Sequence, residues 1–211
     1  MSKAFLILYN IIILPLIWLG ALVSSRFSEK IRKGIEGRKH LFKRLEKGLS
    51  DLETASPRFW IHASSMGEYE QARPVIRGLQ EKYPDSAVIV SFFSPSVFEH
   101  ITDSEADLYC YLPFDSKKNG SRFLDLIQPD AAIIVRHDIW PNHLHECRKR
   151  HIPAYLINCT LSSSSFFKRV LSGKRFLYRG FEKIFTISNE ARNYCLKKGW
   201  GRRGIEYIGD T

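Results

Sequence analysis

Six short apolar runs follow one another after residue 57: RFWIHA (58–63), AVIVSFF (87–93), AAIIV (131–135), AYLIN (154–158), KIFTIS (183–188) and IEYIG (205–209). They are rich in β-branched and aromatic residues and show little polar alternation, the composition of strands covered on both faces. Between them lie helix-periodic stretches of crossover length at 70–82, 121–128, 141–150 and 189–198. Tyr83-Pro84-Asp85, Gln128-Pro129-Asp130, His151-Ile152-Pro153 and Gly199-Trp200-Gly201 punctuate the joints. This alternation predicts a doubly wound, Rossmann-like α/β domain over residues 57–211. No internal repeat interrupts it, and the four-serine run 162–165 is the sole low-complexity stretch.

The chain opens differently. Residues 5–23, FLILYNIIILPLIWLGALV, contain no charge, and as a helix they reach roughly 28 Å at 1.5 Å per residue. That is close to the ~30 Å thickness of a bilayer's hydrocarbon core. Positive charge follows the run, which opposes export of the remainder and favours an uncleaved anchor over residues 1–25 with a cytoplasmic flank, against a cleaved signal peptide.

Of the formal charge of +10, residues 24–48 carry +6 and residues 49–211 only +3. The basic stretch 26–56 is read either as a solvated helix or as a segment held to an anionic leaflet, where each Lys or Arg contributes about 1 kcal/mol. A nucleic-acid partner loses its support, because the globular part has an ordinary charge balance. The membrane setting points to a lipid substrate, or one delivered to a lipid. Cys110, Cys147, Cys159 and Cys195 lie far apart without a C-x-x-C spacing, which indicates reduced thiols rather than a disulfide framework or zinc knuckle.

In an open α/β sheet, ligands gather at the loops that leave the carboxyl ends of the strands. The first such loop is Ser64-Ser65-Met66-Gly67-Glu68. Gly67 is expected to permit a tight turn and Glu68 to sit in the first turn of a helix, where it either caps the helix or serves as a proton acceptor. The loop lacks G-x-G-x-x-G, which disfavours a dinucleotide, and the chain has neither a Walker loop nor G-x-S-x-G. His137, His143, His145 and His151 lack H-E-x-x-H spacing and are expected to be surface or loop residues rather than metal ligands. After the second run come Ser94 and Ser96 around Pro95, with a hydroxyl helix cap as the simpler reading. Arg136, Asp138 and Asn142 follow AAIIV, and Arg136 and Asp138 either pair with each other or face a ligand.

Taken together, the anchor, WIHASSMGE, YPDSAVIVSFFSPS, YLPFD, IWPN, HECRKRHIPAYLINCTLS, TISNEARNYCLKKG and YIGDT resemble the bacterial lipid A Kdo (3-deoxy-D-manno-octulosonic acid) transferases. The resemblance implies the N-terminal, acceptor-binding Rossmann-like domain of a GT-B glycosyltransferase at the cytoplasmic side of the inner membrane. It implies CMP-Kdo as donor, an acylated, phosphorylated glucosamine disaccharide as acceptor, no cofactor or metal, and Glu68 as general base in an inverting transfer. Ser65, Gly67, Ser94, Arg136, Asp138 and Asn142 become candidate substrate contacts.

Two positions depart from the family pattern: Arg136 stands where many members have the first of two acids, and Val97 where a glycine is common. The chain reaches GDT, near the family's inter-domain linker, so it is expected to lack the donor domain and to be inactive alone. The alternatives to such a transferase half are a membrane-tethered lipid- or sugar-binding module without catalysis and an unrelated nucleotide-binding domain.

Overall fold

All six apolar runs form strands: β1 (Arg58–Ala63), β2 (Ala87–Phe92), β4 (Ala131–Val135), β5 (Ala154–Cys159), β6 (Lys183–Thr186) and β7 (Ile205–Tyr207). A seventh, β3 (Leu108–Tyr111), was not expected. It has four residues and lies at the sheet edge, and its apolar LYCY is not among the six runs. The computed structural model describes residues 3–101, 105–136, 138–160, 175–201 and 203–209. His137, the serine run 162–165 and the end of the GDT motif lie outside the described residues.

The strands run parallel in the order β3-β2-β1-β4-β5-β6-β7. Alternate residues face opposite layers. Phe59, Ile61 and Ala63, with Val88, Val90 and Phe92, pack against Tyr69, Ala72 and Ile76 of α5 (Met66–Lys82). Trp60, Ile89, Ile134 and Leu156 pack on the other face against α7 (Lys117–Ile127) and α8 (Pro141–Lys149). Helices α5 and α7 each start four residues before the predicted 70 and 121, because Ser65 and Ser116 cap them by accepting N–H bonds from Glu68 and Asn119. The helix Asn189–Lys198, capped by Ser188, has the bounds expected of it.

The basic stretch folds onto the same domain. It forms α3 (Glu29–Glu36) and α4 (Leu41–Leu49). Leu41, Leu45 and Leu49 recur at helical spacing and are buried in the α7–α8 layer. Arg38 is enclosed as well: its guanidinium lies 4.5, 4.9 and 4.6 Å from the Phe93, Tyr111 and Phe114 rings. It donates to the carbonyls of Leu112 (2.8 Å), Gly34 (2.7 Å) and Phe93 (2.9 Å). Burial lowers its pKa to about 10.

The four cysteines are free and buried, and the fold brings the Cys159 and Cys195 sulfurs within 4.0 Å, a proximity their sequence separation hid.

The apolar N-terminus is helical from end to end: α1 (Lys3–Leu8), a π-helical turn Tyr9–Ile13 and α2 (Leu14–Ser24). Its 21-residue span Ala4–Ser24 is long and apolar enough, by length and composition, to cross a membrane. One side docks on the domain. Tyr9 and Leu14 are buried, Trp18 packs on Phe114 at 4.4 Å, and the Asn10 and Asn142 side-chain amides bond reciprocally at 2.9 and 3.1 Å. The other side exposes Ile7, Ile11, Leu16 and Leu19.

Candidate active site

Strand order reverses at β1, whose neighbours are β2 on one side and β4 on the other. A crevice therefore opens where the loops after β1 and β4 diverge, the position at which doubly wound sheets hold ligands. Both loops bring acids to it.

At the end of β1, Ser65 caps α5 and Glu68 lies in the first helical turn. Glu68 Oε2 accepts the Ser64 N–H at 2.6 Å, while the Glu68 N–H donates to Ser65 Oγ at 3.4 Å. The capping reading is therefore correct as far as it goes. It involves one carboxylate oxygen; Oε1 takes no hydrogen bond among the described residues.

Burial raises the Glu68 pKa above the usual carboxylate value. The Ser64 N–H opposes this, the Asp138 charge adds to it, and His62 and Arg136 pull it down. The result is a carboxylate fixed by one oxygen, open at the other, and more basic than a solvated glutamate.

At the end of β4, Arg136 adopts a left-handed conformation (φ 60°), uncommon for a side chain of its size, and turns the chain toward β1. Asp138 Oδ2 then accepts from His62 Nε2 (2.9 Å), Trp140 Nε1 (3.0 Å) and the Ser64 hydroxyl. Behind it, Trp60 Nε1 donates to Ser91 Oγ at 2.8 Å, and Ser91 Oγ lies 2.9 Å from His62 Nδ1. His62 Nδ1 lies nearly as close to the Ser91 carbonyl (3.0 Å) as to Ser91 Oγ, and Nε2–H donates to Asp138, so both ring nitrogens are engaged. His62 is fully buried, so the relay fixes Asp138 from inside the core. Arg136 does not pair with Asp138 in the described contacts; its Nε donates to Gln71 Oε1 at 2.8 Å, one helical turn beyond Glu68, and its guanidinium stays exposed.

The remaining candidates divide. The Ser94 N–H donates to the Ser64 carbonyl at 3.1 Å, tying the β2 loop to the crevice, and its hydroxyl pairs with Ser96 Oγ at 2.7 Å. Pro95 rather than a serine is the N-cap of the short helix α6 (Ser96–His100), so the expected hydroxyl cap is replaced by a serine pair. Val97 is fully buried in the core, so its side chain does not narrow the crevice.

Gly67 makes no tight turn. It lies within the first turn of α5 without a positive φ, and a Cβ added there would meet nothing within 4 Å, leaving open space over the helix N-terminus. Asn142 is buried beside the crevice: its amide is engaged by Asn10 and by the Asp115 carbonyl (2.8 Å), and its backbone N–H by the Asp115 carboxylate.

His143 is not a surface residue. It is buried in α8 with Nδ1 2.7 Å from Asp115 Oδ1, because the carboxylate holds the start of α8 and the ring packs beside Trp60 and Phe123. His151 is exposed in a turn. Among the described residues no three or more His, Cys, Asp or Glu are arranged as they would be to hold a metal ion. His62, Ser64 and Trp140 were not singled out as site residues. A histidine in an otherwise apolar strand, one residue from the ligand end, was the available signal.

The model of the 3-deoxy-D-manno-octulosonic-acid transferase (Kdo transferase) family matches residues 33–211. The chain is 34% identical over 108 residues to the 3-deoxy-D-manno-octulosonic acid transferase of Haemophilus influenzae, covering 50% of this chain and 25% of that protein. It is 27% identical over 175 residues to the Aquifex aeolicus transferase, covering 75% and 46%. The chain thus spans less than half the length of these relatives.

Among solved structures it resembles the UDP-GlcNAc 2-epimerase of Neisseria meningitidis (TM-score 0.56, 15% identity, 72% of this chain and 46% of that one) and that of Rickettsia bellii (0.55, 12%, 72% and 44%). These establish the fold, a Rossmann-like parallel α/β domain. With the match extending from α3 through every strand of the sheet, this chain belongs to the Kdo transferase family.

Proposed function

We propose that this chain supplies the acceptor side of an inverting Kdo transfer, with Glu68 as the general base. The observation that carries the reading is the Glu68 carboxylate at the switch-point crevice, anchored through Oε2 and raised in pKa by burial. In the reaction, Glu68 takes the proton of a primary hydroxyl on a phosphorylated, acylated glucosamine disaccharide. That oxygen forms a bond to the anomeric carbon of Kdo, and the bond from that carbon to the CMP phosphate breaks on the opposite face, CMP leaving with the electron pair. Asp138 is a positioning residue, and the exposed Arg136 guanidinium suits a phosphate or carboxylate of the substrates.

In this reading the donor CMP-Kdo is held by a second wall of the cleft, facing the Glu68 side. The exposed apolar side of α1–α2, followed by the basic α3–α4 surface, supports attachment to the cytoplasmic face of the inner membrane.

The test is Kdo transfer from CMP-Kdo to a lipid A precursor by a polypeptide carrying both walls of the cleft. Glu68→Gln keeps the shape and removes the base, so turnover is expected to fall about 10²-fold or more. Near-wild-type turnover would overturn the assignment.

A further inference from the structure

A cavity of about 410 Å³ lies between the N-terminal helix, α3 and the loops that follow β2, β3 and β4. Its size is that of a ligand site. Leu14, Ile17 and Trp18 form one wall, Ile31 and Ile35 the other. At one end Ile17 and Ala21 continue into the exposed apolar side of α2; at the other, the cavity reaches Ser94 and Trp140. Those two residues belong to the crevice: Ser94 is bonded to the Ser64 carbonyl and Trp140 to Asp138.

The polar groups in the lining narrow what can occupy it. The charged and hydroxyl side chains are Lys30, Arg38, Ser94 and Asp115, and the Trp140 indole N–H is taken by Asp138. Arg38 is committed to three backbone carbonyls, Asp115 to Asn142 and His143, and Ser94 to Ser96. Lys30 alone of these has neither a hydrogen bond nor an ion pair from its side chain among the described residues, and it is exposed. A peptide segment laid here would bury its N–H and C=O groups without partners, which is unfavourable. A hydrocarbon chain has no such groups.

We infer that this cavity is an acyl-chain site for the acceptor lipid: one fatty chain of the phosphorylated glucosamine acceptor lies between α2 and α3, so that its head group emerges at Trp140 and the Glu68 crevice. The inference rests on the proposed transfer for the identity of the lipid, and it assigns the apolar helix a second role, as a wall of the substrate site. Gly34 shapes the opposite wall. A Cβ there would make only ordinary contacts, 3.6 Å from Arg38 Nη1 and 3.7 Å from Pro95 Cδ, so alanine is accommodated, whereas a longer side chain would enter the cavity.

The test uses the full chain in vesicles of phosphatidylethanolamine and phosphatidylglycerol. The probe is an acylated glucosamine disaccharide phosphate bearing a photoreactive diazirine at an acyl terminus, with crosslinks mapped by peptide mass spectrometry. Crosslinks are expected on the cavity walls at Leu14, Ile17, Ile31 and Ile35. Gly34→Leu, and independently Ile17→Trp from the facing wall, are expected to abolish them, while Gly34→Ala retains them and all variants keep labelling at Ile11 and Leu19.

Labelling confined to the outer side of the helix overturns the inference, as does equal cavity labelling by a diazirine-bearing phosphatidylglycerol, which would make the cavity a general lipid slot. Because crosslinking requires no transfer, cavity labelling that persists where Glu68→Gln leaves turnover unchanged upholds the acyl site while the catalytic reading falls.

Discussion

Burial is the largest influence on the protonation of Glu68, and two charges at the crevice then adjust it in opposite directions. Asp138 raises its pKa and Arg136 lowers it. A base must be deprotonated, so transfer is lost as pH falls through the Glu68 pKa; because that pKa is raised, the loss begins above the usual carboxylate range. Asp138→Asn removes a like charge and is expected to move the acid limb of kcat/KM to lower pH. Arg136→Gln removes an opposite charge and is expected to move it to higher pH. A pH–rate series on the two variants checks both signs. A limb that does not move in either would mean that Glu68 is not the titrating base.

At this scale the sequence was legible where placement is written in one short stretch, as with Glu68, expected in the first turn of a helix and found there. It was opaque where residues meet only through the sheet. Nothing in the sequence pairs His62 with Asp138, since their contact depends on β1 and β4 being neighbours and on the left-handed turn at Arg136.

Among the elements, α4 shows why net charge is a poor guide to exposure. LFKRLEKGL is strongly basic, yet Leu41, Leu45 and Leu49 form an i, i+4, i+8 stripe that closes one layer over the sheet. Leu45→Ala is expected to destabilise the fold by about 2–5 kcal/mol, the usual range for deleting a fully buried leucine. Urea unfolding in mild detergent, followed by tryptophan fluorescence, would show it; a negligible change would mean that the stripe does not pack. The stripe was readable by period, but the density of Lys and Arg around it drew the reading toward a solvated or membrane-bound surface. Helix starts were misplaced for a related reason: Ser65 and Ser116 look like loop residues until their hydroxyls are seen accepting N–H bonds. Strands covered on both faces were plain because such burial leaves an unbroken apolar run; β3 was missed although LYCY is one, at only four residues.

For the molecule as a whole, the N-terminal helix and the α/β domain are joined through the amide pair Asn10–Asn142 and the Trp18–Phe114 contact. Deleting residues 1–25 is expected to move the protein from the membrane to the soluble fraction on ultracentrifugation, with persistent sedimentation pointing instead to the basic α3–α4 surface. Asn10→Leu should leave it in the membrane fraction and loosen the seating of the helix, seen as faster hydrogen exchange at the start of α8. The amide pair has one more consequence. Asn142 stands in the first turn of α8, shortly after Asp138, so a helix held in lipid fixes the height of the crevice above the leaflet. Encounter with a membrane-borne acceptor then becomes a search in two dimensions, and turnover should follow the acceptor's mole fraction in the bilayer, falling when inert lipid is added at constant bulk concentration.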